Sequence, residues 1–372
     1  MIPETISLKL LGLTALAGEF PSASLSRLVG EGRYKEKVIT DLKAKKLLKV
    51  YNRDGVRAYR LMLGGKRYLL QENPARYEAV LAAQTQSRQD LPHRIRQHQM
   101  CEVLLAMQKV GVPIYADEKA DIFGKAPSSG EVQTGIPLPA YYTSLEVKGS
   151  DQSGTKIKNA RFHGILLTEN RIYLVYNTGN SIMRWEQGSE IKTRALMTYL
   201  LCQKRLSDHF VWAEVQAILM GTDMEIARKI LSATHPRSAC GIKLDRTFEH
   251  FHFIPGNQEG DFLLQLLCSE DLKARLYATL SEGLCPADPK APIENDGFEE
   301  DGTPVLFAFD GDIQRLQNFI GMLQLREATG HVICFDFQAD VFREYCGSHA
   351  QLQTIDLEKL KRQLLPPEEV SL

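Results

Sequence analysis

The first 61 residues carry four local patterns in a fixed order, and this order restricts the possible folds more than any other feature of the chain. An apolar, leucine-rich run at 5–17 predicts a mostly buried helix, and a shorter pattern at 22–29 predicts a second one. A helix with one apolar and one basic face follows from Arg33 to Lys46. Two extended runs within 48–61 then flank Asp54-Gly55, a dipeptide typical of a tight hairpin turn.

The same segment is strongly basic, although the whole chain is almost neutral. Residues 1–70 hold 14 Lys and Arg but only 6 Asp and Glu, a formal charge of +8, whereas the whole chain carries −1. The remaining 302 residues therefore carry −9. A basic segment attracts polyanions whatever the total charge of the protein.

Helix, helix, turn, basic helix and basic hairpin is the element order of a winged helix-turn-helix domain. The third helix of such a domain enters the major groove of DNA, and we expect the hairpin, called the wing, to follow the backbone. Six cations are expected to neutralise phosphates: Lys35, Lys37, Lys43, Arg53, Arg57 and Arg60. Three further residues are expected to approach base edges: Arg33, Tyr34 and Thr40. The alternative is a basic face that contacts only protein.

Composition indicates an ordinary globular protein of two or three domains. The chain has 372 residues, 44% hydrophobic and 24% charged. Its seven cysteines are scattered and never spaced as CxxC, which favours reduced thiols over a disulfide framework or a zinc site. We see no apolar stretch long enough to span a bilayer and no secretion signal at the start. We therefore expect a cytoplasmic protein without a membrane partner.

Predicted strands and helices alternate through the rest of the chain. A helix at 72–83 is expected to close the first domain, and a long amphipathic helix at 92–110 to open the body. The predicted strands are 159–167, 171–176, 215–220, 248–254, 305–309 and 331–337. The predicted helices are 190–204, 224–233, 261–280, 312–325 and 340–346. Such alternation predicts an α/β fold (α+β for the whole chain) with a sheet covered on both faces.

These patterns divide the chain into three segments. Residues 1–85 form the predicted winged-helix DNA-binding domain, and 92–283 form an α/β domain. A linker rich in proline and acidic residues precedes a β-α-β extension at 304–372, which either stands alone or joins the sheet of the α/β domain.

Two strands and a helix in the body resemble a known family. The informative stretches are Arg161-Phe-His-Gly-Ile-Leu, then Ile172-Tyr-Leu-Val-Tyr-Asn-Thr-Gly-Asn180, then the helix that carries Lys192 and Tyr199. This arrangement is similar to the replication-relaxation family of plasmids and conjugative elements. Its members join an N-terminal winged helix to a domain with the PD-(D/E)XK nuclease-like fold.

The family resemblance implies an active site that this chain has lost. The family begins the first strand with Pro-Asp and ends the second with two acidic residues before a glycine turn. Here Phe162-His163 takes the place of Pro-Asp, while Val175 and Asn177 take the acidic positions. A nuclease of this kind needs two or three carboxylates to hold magnesium, and usually a lysine, here Lys192, to steady the attacking water. We therefore expect no catalytic residues, no metal and no cofactor.

Three other motifs are interpreted as structural. His250 and His252 share one face of a strand, but no third zinc ligand stands at a recognisable spacing. Asp312 follows a strand and precedes a helix, where it fits an N-cap. Glu146-Val-Lys148 and Glu190-Ile-Lys192 match a nuclease Glu-x-Lys pair only by chance. The common nucleotide-binding and hydrolase signatures are missing from the sequence.

Taken together, the sequence predicts a DNA-binding accessory protein of a mobile genetic element, acting in plasmid replication, relaxation or transfer. Its partners would be double-stranded DNA, replication or relaxase proteins, and a second copy of the chain. Two alternatives stay open: a winged-helix transcriptional regulator that responds to a ligand or partner, and a metal-dependent nuclease whose carboxylates lie elsewhere.

Overall fold

A computed structural model describes most of the chain, and its residues fall into two compact units. The described residues are 5–83, 90–123, 137–149, 160–206, 209–210, 214–233, 241–242, 244–288 and 290–364. The first unit contains the described residues up to Asp121, together with Pro137. The second contains Ile122, Phe123 and the described residues from Leu138 onward. The molecule is of the mixed α/β class, as the sequence predicts.

The first unit begins with two of the predicted helices and the predicted hairpin, while a 3₁₀ turn stands where the second helix was predicted. Helix α1 spans Ile6–Ala17, a 3₁₀ turn spans Ala23–Arg27, and α2 spans Gly32–Ala44. Strands β1 (Phe20–Pro21), β2 (Leu48–Arg53) and β3 (Val56–Leu61) form an antiparallel sheet in the order β1-β3-β2. Three helices follow: α3 (Leu63–Glu72), α4 (Pro74–Ala83) and α5 (Leu91–Lys109). The sequence did not predict α3, whose two glycines weaken the helical pattern.

Local chemistry explains where these elements start and turn. Thr5 caps α1, because its hydroxyl accepts a hydrogen bond from the Leu8 N–H. Asp54 and Gly55 both have positive φ, 54° and 75°, which is the type I′ turn that suits a two-residue hairpin. The wing is therefore a short, regular hairpin of β2 and β3, and its turn lies between Arg53 and Val56.

Helix α5 belongs to the first unit and not to the body, so the predicted boundary at 85–92 does not match the compact units. Arg94, near the start of α5, is fully buried against Glu19, the residue just before β1. The apolar face of α5 also packs on α1. Amphipathicity predicted the helix correctly, but the pattern does not say which neighbour covers the apolar face.

The second unit contains a mixed five-stranded sheet in the order β4-β5-β6-β7-β8. Its strands are β4 (Ala140–Thr143), β5 (Gly164–Leu167), β6 (Ile172–Gly179), β7 (Val215–Gly221) and β8 (Phe251–Pro255). The first three are antiparallel, and β6, β7 and β8 are parallel. Helices α6 (Ser144–Gly149), α7 (Gln187–Thr198, continuing as a π-helix over Tyr199–Arg205) and α8 (Met224–Leu231) connect them. Four of these strands correspond to predicted ones, whereas β4 was not predicted as a strand, and residue 159 of the first predicted strand lies outside the described residues.

A second five-stranded sheet lies in the same unit, in the order β13-β12-β11-β10-β9. Its strands are β9 (Cys285–Pro286), β10 (Gly297–Phe298), β11 (Pro304–Phe307), β12 (Gly330–Phe335) and β13 (Ala350–Ile355). Its helices are α11 (Ile313–Leu325), α12 (Ala339–Cys346) and α13 (Leu357–Leu364). The segment that follows β11 contacts β8, because the Phe253 N–H donates to the Gly311 carbonyl. The C-terminal extension is thus part of the body and not a separate unit.

The helix predicted at 261–280 is two helices, α9 (Gln258–Cys268) and α10 (Glu270–Leu280). Ser269 separates them with extended backbone, and its hydroxyl accepts a hydrogen bond from the Leu272 N–H to cap α10. In the ranges that the structure describes, no helix is both long and apolar enough to cross a membrane.

Candidate nucleic-acid interface

Helix α2 presents a polar stripe along its exposed side. Arg33, Lys37 and Thr40 are exposed and recur at the spacing of one helix face, opposite the buried Val38 and Leu42. The apolar side packs in the core of the first unit, and this packing turns the stripe outward. Two cations and a hydroxyl therefore point away from the protein, as a recognition helix requires.

The flanks of the stripe are mixed. Lys43 is exposed on one side together with Glu36, and Tyr34 is 54% exposed on the other side together with Asp41. Thr40 donates its hydroxyl hydrogen to the Glu36 carbonyl at 2.9 Å, so its oxygen is left to accept a hydrogen bond from a ligand. The predicted positions Arg33, Tyr34, Lys37, Thr40 and Lys43 are thus accessible.

The wing adds two accessible arginines. The Arg53 side chain is 56% exposed and lies beside Asp54, with 3.4 Å between Nε and the carboxylate. Arg57 is exposed and stands opposite Asn52 in the register, on the other face of the hairpin from Tyr51. A hairpin with one arginine on each face can meet phosphates on either side. The exposed Lys49 of β2 and Lys45 after α2 increase the positive charge, although the sequence analysis did not select them.

Lys35 does not fit the predicted role of a phosphate contact. It is buried, and its ammonium donates to the Ser26 and Leu28 carbonyls at 3.2 and 2.8 Å. These carbonyls end the preceding 3₁₀ turn, where a cation is favourable. Lys35 therefore fastens that turn to α2 and is removed from the predicted interface. The basic pattern could not distinguish it from Lys37 because both sit on a helix rich in lysine.

Arg60 also departs from its predicted role. Its side chain is 13% exposed, and its guanidinium binds the carboxylate of Glu19 and lies 3.5 Å above the ring centre of Tyr51. An arginine held by a buried carboxylate and an aromatic ring is already paired, so its charge serves the fold and not the interface.

Glu19 is the centre of a buried ionic cluster. Its carboxylate receives Arg60, Arg94 at 3.0 Å and His98 at 3.0 Å, and Glu19 itself is 1% exposed. Burial opposes ionisation of Glu19, but hydrogen bonds from His98, Arg94 and Arg60 outweigh it and lower the pKa to about 2. The sequence analysis missed this cluster, because its members come from the residue before β1, from β3 and from α5, and share no local spacing.

The residues that the sequence analysis aligned with nuclease acids do come together. The His163 N–H donates to the Val175 carbonyl at 2.6 Å, and His163 Nδ1 accepts a hydrogen bond from the Asn177 N–H at 3.2 Å. All three are buried where β5 begins beside β6. Asn177 Oδ1 accepts from the Gly179 N–H at 2.8 Å, as a local turn. This group can stabilise the strand ends, but it offers no carboxylate to a metal.

Lys192 differs from that group because it is exposed on α7, whereas His163, Val175 and Asn177 are buried. Glu190 on the same helix is buried, with its carboxylate receiving the Tyr176 hydroxyl at 2.7 Å and the Arg161 N–H at 3.1 Å. Glu146 accepts from the Thr143 N–H at 2.6 Å, at the start of α6. Both Glu-x-Lys glutamates thus accept hydrogen bonds from groups of the surrounding fold.

His250 and His252 stack on one face of the strand, as predicted, with ring centres 6.2 Å apart. His252 is fully buried between the Asp310 carbonyl at 3.2 Å and the Gln216 side chain at 3.3 Å. His250 Nδ1 lies 2.6 Å from Asp312, whose other oxygen accepts from the Arg315 N–H as the N-cap of α11. Both histidines therefore hold structure at the junction of the two sheets.

Each aspartate of this junction lies beside a basic side chain. The hydrogen bond to Asp312 raises the pKa of His250, whereas burial lowers the pKa of His252. Lys273, also buried, lies 3.1 Å from the Asp310 carboxylate.

Over the described ranges, no three His, Cys, Asp or Glu side chains are grouped as a metal site requires. No protein-family model, curated protein or solved structure matches this chain.

Proposed function

We propose that the chain binds double-stranded DNA through α2 and the wing of its first unit. The observation that carries the proposal is the set of exposed cations on these two elements. They are Arg33, Lys37, Lys43, Arg53 and Arg57. Phosphate contacts supply most of the affinity of such a surface, while Tyr34 and Thr40 stand where a recognition helix meets base edges.

The wider role we propose is that of an accessory protein in the replication, relaxation or transfer of a mobile element. The strand–strand–helix order of β5, β6 and α7, and the contact of His163 with Val175 and Asn177, support the resemblance to the replication-relaxation family. The body would then serve for docking of replication or relaxase proteins, or of a second copy of the chain. It would act inside the cell, where duplex DNA is present.

Fluorescence anisotropy with duplex DNA across a salt series tests DNA binding. The full chain is compared with a Lys37→Ala/Lys43→Ala/Arg57→Ala variant. We expect the slope of log K against log salt to shrink by about three in the variant, one for each lost phosphate contact. A Lys229→Ala/Arg343→Ala/Lys359→Ala variant removes the same charge from exposed positions of the second unit and serves as the matched control. Salt-insensitive binding, or equal slopes in both variants, would assign the basic surface to protein contacts.

Catalytic inactivity of the body is tested separately. We expect no cleavage of supercoiled plasmid in the presence of Mg²⁺, because the His163 group supplies no carboxylate. Cleavage that is lost on chelation and restored by Mg²⁺ would contradict this expectation and support the nuclease alternative. A change of DNA affinity on addition of a small ligand would instead favour the transcriptional regulator.

A further inference from the structure

The wing is held near its turn by a residue that lies outside the hairpin. Arg94 of α5 donates from Nη1 to the Arg53 carbonyl at 2.7 Å and from Nη2 to the Val56 carbonyl at 3.0 Å. These two carbonyls flank the Asp54-Gly55 turn, one on each strand. A single guanidinium therefore grips both strands of the wing at its exposed end.

The carboxylate of Glu19 makes this grip possible. Arg94 Nε lies 3.0 and 3.2 Å from the two oxygens of Glu19, so the buried positive charge has a buried counter-charge. Arg94 Cζ also lies 4.6 Å from the ring centre of Tyr51 on β2. The planar guanidinium fork reaches all these partners at once, which the single ammonium of a lysine cannot do.

Arg94 cannot touch DNA, since its side chain is 0% exposed. The Arg57 side chain lies on one face of the hairpin, and Tyr51 lies on the other. Arg94 contacts the Tyr51 face, so the hairpin separates it from the Arg57 side chain. Any effect of Arg94 on DNA affinity must therefore pass through the position of the hairpin. This separation allows a structural role in the core to be distinguished from a role in placing the wing.

We propose that Arg94 is the positioning residue of the wing and sets where Arg53 and Arg57 meet the phosphate backbone. The inference rests on the proposed DNA binding and extends its machinery to α5, which lies outside the winged-helix pattern of the first 61 residues. The wing hairpin is short, and a pair of strands is marginally stable by itself in water. Loss of the grip would leave α2 in place while the wing samples other angles.

The test uses the full chain with Arg94→Lys, which keeps a cation beside Glu19 and loses the two-carbonyl fork. We expect the slope of log K against log salt to shrink by one to about two, because both wing arginines lose register with phosphates. A double-mutant cycle then separates wing from helix. Arg57→Ala is expected to weaken DNA binding about fivefold in the natural chain but less than about twofold in the Arg94→Lys background. Lys37→Ala is expected to weaken DNA binding equally in both backgrounds.

Hydrogen exchange gives a second readout that does not depend on DNA. Exchange in a peptide covering 48–61 is expected to accelerate in Arg94→Lys, while a peptide covering 5–17 keeps its protection. If Arg94→Lys unfolds the first unit, Arg94→Gln takes its place in the cycle, because Arg60 and His98 still pair with Glu19. An equal cost of Arg57→Ala in both backgrounds overturns the inference while DNA binding stands. Absence of salt-sensitive binding by the natural chain overturns the proposed function and the inference together.

Discussion

Lys35 and Lys37 stand two positions apart on α2, yet only Lys37 is exposed. The helix rotates about 200° between them, so one lysine faces the core and the other faces solvent. Lys35 tolerates burial because two carbonyls receive its ammonium. Charge in the sequence therefore overstates the charge that a partner meets, and the same holds for Arg60 beside Glu19.

Glu19→Gln is predicted to destabilise the first unit in a pH-dependent way. The folded pKa of Glu19 is about 2 against an ordinary 4.5, so its ionised form adds about 3 kcal/mol of stability at neutral pH. A carboxylate whose pKa is lower in the folded state stabilises that state at every pH above its unfolded pKa. For Glu19 this contribution decreases as the pH falls from 4.5 towards 2. Between pH 7 and pH 3 the difference from the natural chain should shrink to about 1 kcal/mol.

Hydrogen exchange of the 48–61 peptide at the two pH values, corrected for the intrinsic rate, measures this difference. Glu36→Gln is the control, because Glu36 is exposed on the same unit and its removal should leave protection unchanged at both pH values. A Glu19→Gln effect of equal size at pH 7 and pH 3 would show that the charge of Glu19 is not the source of the stability.

At the scale of elements, turns and caps were the most predictable features. Asp54-Gly55 specifies its hairpin because both residues tolerate positive φ, and Asp312 caps α11 through the Arg315 N–H as expected. The break at Ser269 was missed, because the apolar period of α9 and α10 runs through it. A serine inside a helical pattern does not reveal whether its hydroxyl caps a new helix or faces solvent.

Gly55→Ala is predicted to weaken the wing. A Cβ at this position meets nothing within 4 Å, so the cost is the left-handed backbone conformation alone, about 1–2 kcal/mol. Faster exchange in the 48–61 peptide and weaker DNA binding are the expected results. Gly32→Ala is the matched control, since its Cβ also meets open space but its φ is not positive. It should leave the wing unchanged, and equal effects of the two substitutions would contradict the argument.

At the scale of the whole molecule, long-range contacts decide which elements belong to each compact unit. Helix α5 completes the first unit through Arg94 and its apolar face, and Tyr115 packs close to Gly12 of α1. The two sheets of the second unit meet where β8 contacts the segment that carries Gly311 and Asp312. Both arrangements join residues that are far apart in the chain.

A fragment of residues 1–121 is predicted to unfold cooperatively, whereas a fragment of residues 1–85 is not. The shorter piece exposes the face of α1 that α5 covers and leaves Glu19 without Arg94 and His98. Thermal unfolding followed by far-ultraviolet circular dichroism distinguishes the two. A sharp transition of equal midpoint in both fragments would restore the predicted boundary at 85.

Local sequence patterns alone predicted the helices and hairpin of the first unit, the mixed α/β class and the capping role of Asp312, because turns, caps and periodicity depend on neighbours within a few residues. Tertiary packing decided which cations are accessible, which unit holds α5 and how His163 meets Asn177. These outcomes depend on contacts between distant residues such as Glu19 and Arg94, separated by 75 positions. An apolar or charged face in the sequence predicts that the face has a partner, but only the folded structure shows which residues that partner contains.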